Sequence, residues 1–144
     1  MKIVYLSAIA YDDLKQRPQY MAEKLSEKNE VIYIEPTIRW ISCVLGRAKE
    51  YKRYVRKISA SLTVVRCNGL FVLPFRWKPY DFMKLGNIAE RVQLKKYLSA
   101  ADVIIVGYEG WTDVVQSVKS AKIVYDKMDD NVPVSYTHLT LPTI

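Results

Sequence analysis

The feature that most constrains this chain is a strand, helix, strand succession inside its first 35 residues. Residues 2–7 (KIVYLS) form a short β-branched and aromatic run. Residues 17–28 follow with Tyr20, Met21 and Leu25 at helical spacing and Pro18 in the first turn, where a missing N–H costs nothing. Residues 30–35 (EVIYIE) are again apolar and β-branched, closed by Pro36. That is the size of a βαβ unit, whose parallel strands are buried on both faces.

The alternation continues. Residues 102–107 (DVIIVG) read as the clearest buried strand and 122–126 as the last one. Between them, 112–119 read as a short helix, and 82–98 as a long helix capped by Asp81. Residues 62–66 and 70–73 read as short strands around Asn68-Gly69, a hairpin-turn signal. An aromatic loop with Phe75, Trp77 and Tyr80 follows, bracketed by Pro74 and Pro79. Residues 37–58 read as a helix, at least from Trp40 onward: Ile41, Val44, Leu45, Ala48, Tyr51, Val55 and Ile58 recur at steps of three and four, although Gly46 weakens the pattern.

The expected fold is therefore α/β: a Rossmann-like open parallel sheet with helices on both faces, in one domain. Such sheets bind ligands outside the carboxyl ends of their strands. The loops after Ser7, Glu35, Gly107 and Asp126 are the places to look.

Charge is unevenly distributed. Residues 39–96 hold 14 Lys/Arg and 3 Asp/Glu, a net of +11, whereas the rest of the 144 residues holds 8 and 12, a net of −4. The segment 39–58 carries Arg39, Arg47, Lys49, Lys52, Arg53, Arg56 and Lys57 against Glu50 alone. As a helix it would suit a membrane surface, with Trp40 and Trp77 at headgroup level, or form a solvated basic face over an ordinary core stripe.

Cys43 and Cys67 have neither C-x-x-C spacing nor a neighbouring histidine, so they read as buried thiols in a reducing compartment. The first apolar run is too short for a signal-peptide core, and no stretch approaches the roughly 20 apolar residues that cross a bilayer. A cytoplasmic chain, soluble or peripheral on the membrane's inner face, is expected. Glycine-rich nucleotide loops are absent: Ser7-Ala8-Ile9-Ala10 follows the first strand, and there is no P-loop and no G-x-S-x-G elbow.

Three segments carry a family resemblance: Arg17-Pro18-Gln19 opening the first helix, Val31-Ile32-Tyr33-Ile34-Glu35-Pro36 on the second strand, and Tyr125-Asp126-Lys127-Met128-Asp129-Asp130 leaving the last. Their order and spacing over residues 1–133 resemble the N-terminal domain of GT-B-fold glycosyltransferases of the family 4 type, nearest to the teichuronic-acid or capsule enzymes. The resemblance implies an acceptor-side domain, with a nucleotide-sugar donor bound by a second domain. It also implies a sugar or lipid-linked acceptor, and no cofactor or metal in this half. No nucleic acid is expected on this reading.

Cleft candidates are Arg17, Gln19, Glu35, Tyr108, Trp111, Asp126, Asp129 and Asp130. A carboxylate at a strand end can bond sugar hydroxyls or take a proton, and arginine at a helix start suits an anion. Each has a plainer alternative. Asp129 or Asp130 could cap a following helix, Arg17 could pair with Asp12 or Asp13, Glu35 could be a turn carboxylate, and the aromatics could simply pack. The rival function is a non-enzymatic basic module binding anionic lipid or nucleic acid. A sugar-nucleotide epimerase or dehydrogenase is disfavoured by the missing glycine fingerprint.

Residues 134–144 (VSYTHLTLPTI) resemble a frame translation of a transposase-based sequencing adapter, ten successive codons matching Val134 through Thr143. The alternative is an edge strand of alternating polarity. An adapter origin removes His138, the one histidine, from consideration. Resequencing the source locus across codon 133 decides the matter.

Overall fold

The computed structural model describes residues 1–39, 52–69 and 82–126. The expected helix over 40–51, the strand at 70–73, the Asp81 cap and the tail lie outside them. So do Trp40, Cys43, Arg47, Lys49, Trp77, Asp129 and Asp130.

Eight strands and three helices are described. They are β1 (Lys2–Leu6), α1 (Arg17–Ser26), β2 (Glu30–Ile34), β3 (Ile38–Arg39), β4 (Tyr54–Lys57), β5 (Leu62–Arg66), β6 (Asn68–Gly69), α2 (Phe82–Leu98), β7 (Val103–Val106), α3 (Thr112–Val115) and β8 (Lys122–Tyr125). A 3₁₀ turn, Glu109–Trp111, leads into α3. The main sheet has the order β4-β5-β2-β1-β7-β8. Every neighbouring pair is parallel except β4 and β5, which run antiparallel. The α/β expectation holds: this is an open, mostly parallel sheet of Rossmann-like type.

Alternation along the strands explains the layering. Ile3 and Tyr5 of β1, with Val31 and Tyr33 of β2, face α1 and pack around Ala22. Val4 and Leu6, with Ile32 and Ile34, face the other way onto Leu94 and Leu98 of α2 and Val114 and Val115 of α3. The central strands are thus covered on both sides, and truncating a buried leucine such as Leu94 to alanine costs about 2–5 kcal/mol. α1 buries Pro18, Gln19 and Ala22. Met21 and Leu25 only border that core, and Tyr20 is exposed, so the apolar stripe expected of this helix is rotated.

Two expectations fail. The helix expected through Ile58 is not present at its C-terminal end: Tyr54–Lys57 is a strand, paired from Tyr54↔Arg66 to Lys57↔Thr63. Val55 and Ile58, spaced like a helical stripe, are both exposed. Nor is Asn68-Gly69 a hairpin turn. It forms β6, parallel to β3 with Ile38↔Asn68 in register. The Gln93 side chain clamps it, accepting from Asn68 N at 3.2 Å and donating to Asn68 O at 2.7 Å. α1 and α3 also end earlier than expected, at Ser26 and Val115.

Candidate functional site

Ser7, Glu35, Gly107 and Asp126 make up the last rung of the parallel sheet. Each amide continues the ladder into a neighbouring strand: Ser7 N to Ile34 O, Glu35 N to Val65 O, Gly107 N to Leu6 O and Asp126 N to Val106 O, all at 2.9 Å. The four expected loop origins are therefore one structural edge. Between β1 and β7 the winding reverses, since β1 adjoins β2 on one side and β7 on the other. That switch point is where an open α/β sheet has its crevice.

Tyr5 is next to last in β1, on the α1 face, and its hydroxyl donates to Asp126 Oδ2 at 2.9 Å. Gly107 makes room for the ring: a Cβ there would stand 3.2 Å from Tyr5 Cε1, Tyr5 Oη and the Leu6 carbonyl oxygen. Arg17, the first residue of α1, donates from Nη2 to Asp126 Oδ1 at 2.7 Å. Asp126 is thus gripped from two sides with its side chain 9% exposed, while that of Arg17 is 56% exposed. Asp12 pairs instead with Arg56, at 2.7 and 2.8 Å.

Tyr5 stacks on Tyr33 with ring centroids 5.8 Å apart, and Tyr11 meets Tyr33 edge-on at 5.4 Å. The Tyr33 hydroxyl lies 2.7 Å from Ser7 Oγ and 2.9 Å from the Ile9 carbonyl. A carbonyl can only accept, so the phenol gives it its single proton and receives the Ser7 proton. Burial pushes the Tyr33 phenol up to about 12, against the opposing effect of the Ser7 hydrogen bond. The Tyr11 phenol also rises to about 12, through burial first and then its hydrogen bond to Glu23. The Tyr5 phenol is raised as well, by burial and then by Asp126.

Glu35 is completely buried. Its Oε1 accepts from Tyr11 N at 2.7 Å, and its Oε2 accepts from Arg66 Nε at 2.7 Å and from the Tyr54 hydroxyl. The Arg66 guanidinium also lies over the Tyr54 ring, 4.6 Å from its centroid. Glu35 is therefore a joint that fastens β4 and the loop after β1 to the end of β2. Gln19 is buried too. It caps α1, accepting from Gln16 N at 3.0 Å, and it donates to Ala10 O at 3.2 Å, which holds the loop after β1. Trp111 is buried, with Nε1 donating to Ser7 O at 2.9 Å across the switch point. Tyr108 stands exposed beside it.

No protein-family model matches the chain, and no curated protein matches it. The glycosyltransferase resemblance is therefore carried by the motifs alone.

The structure brings Arg17 and Asp126 into contact and leaves Arg17 and Tyr108 facing solvent at the rim. It turns Gln19, Glu35 and Trp111 inward, into the scaffold. The basic candidates divide differently. Arg39 is in β3, Lys52 and Arg53 are exposed ahead of β4, and Arg56 and Lys57 are on β4, so those two lie on a sheet edge and not on a membrane-surface helix. No helix of the described residues is long and apolar enough to cross a membrane.

Sequence reasoning placed Ser7 and Gly107 only as strand ends and missed Tyr5, Tyr33, Tyr54 and Arg66. One signal was available: Tyr5 and Tyr33 are directly paired in adjacent strands, each next to last in its strand. A polar-tipped aromatic so close to a carboxyl edge can reach over it.

Proposed function

We propose that this chain is the acceptor-side, Rossmann-like half of a glycosyltransferase. The full enzyme moves a sugar from a nucleotide-sugar to a cell-surface polysaccharide or lipid-linked acceptor, and a second domain holds the donor. The observation that carries this reading is the contact between Arg17 and Asp126. The two belong to separate motifs of the resemblance, lie 109 positions apart, and meet at 2.7 Å on the carboxyl edge of the sheet. On this reading Arg17 meets the acceptor. One Nη2 serves Asp126, and the exposed remainder of a planar, permanently charged fork suits a phosphate or carboxylate. Asp126 and Tyr5 position it, and Tyr108 offers an aromatic face for a sugar ring.

Calorimetric titration of the chain with phosphate-bearing saccharides tests this. Binding should weaken about tenfold or more in Arg17→Ala, the range expected when a charge-assisted hydrogen bond is lost, and less in Arg17→Lys. Equal binding by wild type and Arg17→Ala would contradict the assignment. Turnover of nucleotide-sugars by this chain alone would overturn the idea of a separate donor domain.

A further inference from the structure

On the face of the sheet opposite α1, a groove of about 530 Å³ runs between the residues entering β4 and the C-terminal half of α2, lined by Arg53, Val92, Gln93, Lys95, Lys96 and Ser99. No salt bridge of the described residues includes Arg53, Lys95 or Lys96, although Lys96 lies 4.6 Å from the Tyr97 ring centroid. Gln93 is held by the backbone of Asn68 and anchors the wall.

Helical spacing adds an apolar component. Ile88, Val92, Lys95 and Ser99 follow one another at steps of three and four, and Lys96 is four beyond Val92, so they share one side of α2. Leu94 and Leu98 point the other way and are buried. Val92 is 70% exposed and Ile88 51%. Glu90, two residues from each, lies on the opposite side of the helix. The outer face of α2 thus presents two bare aliphatic side chains next to a cluster of three cations. A free phosphate would need the cations alone. The combination fits a partner with anionic charge at its surface and hydrocarbon beneath, and Arg53, Lys95 and Lys96 supply the charge complementarity.

We infer that this face of α2, with Arg53, docks on an anionic lipid bilayer, with Lys95, Lys96 and Arg53 at the phosphate level and Val92 and Ile88 entering the interface. The surface differs from the basic helix expected over 39–58, and the inference does not depend on the transferase reading.

Vesicle co-sedimentation of the whole chain tests it. Vesicles of phosphatidylcholine with phosphatidylglycerol should pull the protein down at low salt, and pure phosphatidylcholine should not. Binding should fade as salt approaches physiological strength, where the screening length is about 8 Å. The pair Lys95→Glu and Lys96→Glu should weaken binding at least about tenfold, given roughly 1 kcal/mol per basic residue near such a surface. Lys119→Glu with Lys122→Glu, distant on β8 and the turn before it, should weaken it less. In Val92→Trp, the added indole should shift its emission to the blue on anionic vesicles. These positions are exposed, so circular dichroism should show an unchanged fold. Undiminished binding by the Lys95/Lys96 variant, or an emission of Val92→Trp indifferent to vesicles, overturns the proposal. Loss of vesicle binding on adding millimolar inorganic phosphate at constant ionic strength also overturns it, by marking a phosphate site.

Discussion

The Tyr5 hydroxyl donates to Asp126 across 2.9 Å, joining the first strand to the end of the last over 121 positions of sequence. Arg17 holds the other carboxylate oxygen, so strand, helix and rim share one joint. Hydrogen bonds to charged groups contribute about 1.5–3 kcal/mol, whereas exposed ion pairs contribute about 0–1. Tyr5→Phe should therefore lower unfolding free energy by about 1–2 kcal/mol, and Arg17→Ala by less. Urea denaturation of both variants and the double variant measures the individual losses and their coupling.

Gly107 is fixed by space. A methyl group there meets the Leu6 carbonyl oxygen and the Tyr5 ring together, and the backbone oxygen cannot yield. Gly107→Ala should cost about 1–3 kcal/mol through overpacking and displace Tyr5 from Asp126. The loss should appear in thermal melts, with a change in near-ultraviolet tyrosine dichroism as the Tyr5–Tyr33 stack is disturbed.

Glu35 fastens three donors on a fully buried carboxylate. Glu35→Ala leaves Arg66 and Tyr54 without their acceptor, a change that costs about 3–5 kcal/mol when a buried pair is broken. The damage should be local to the edge: amide exchange in Tyr54–Lys57 should quicken far more than in β1. Glu35→Gln retains an acceptor and should be milder.

Alkali should unfold the protein through its tyrosines, Tyr33 buried and Tyr11 partly buried. Tyr33 and Tyr11 rise from an ordinary value of 10 to about 12 in the fold. The folded value lies above the unfolded one, so the stability they contribute is whole below pH 10 and is lost as pH climbs through 12. Unfolding free energy should fall across that window, and the slope should be shallower in Tyr33→Phe. Burial likewise pushes the Cys67 thiol up to about 11. In a Cys43→Ser background, Cys67 should resist alkylation until denaturant opens the core.

The chain's βαβ opening, its long helix and DVIIVG strand, and the four loop origins on the last rung could be read in advance because each rests on local signals: periodicity, proline and short β-branched runs. β4 could not. Its one inward anchor, Tyr54, depends on Glu35 and Arg66, and the rest of the strand is exposed, so no period-2 pattern marks it. Asn68-Gly69 misled for a similar reason, since its partners are β3 and Gln93, distant in sequence. Among the candidate site residues, chemistry alone did not separate Arg17 and Asp126 from Glu35, Gln19 and Trp111. Which of them meet at the rim and which turn into the scaffold is a matter of packing.

The most direct test of the central claim is an NMR titration of the labelled chain with a phosphate-bearing saccharide. The amides of Arg17, Gly107, Tyr108 and Asp126 should shift together and saturably, and those of Lys28, Asn29 and Glu30 at the opposite edge should stay in place. Saturable shifts confined to residues away from the rim, or none at millimolar ligand, would contradict the assignment of an acceptor site to the carboxyl edge.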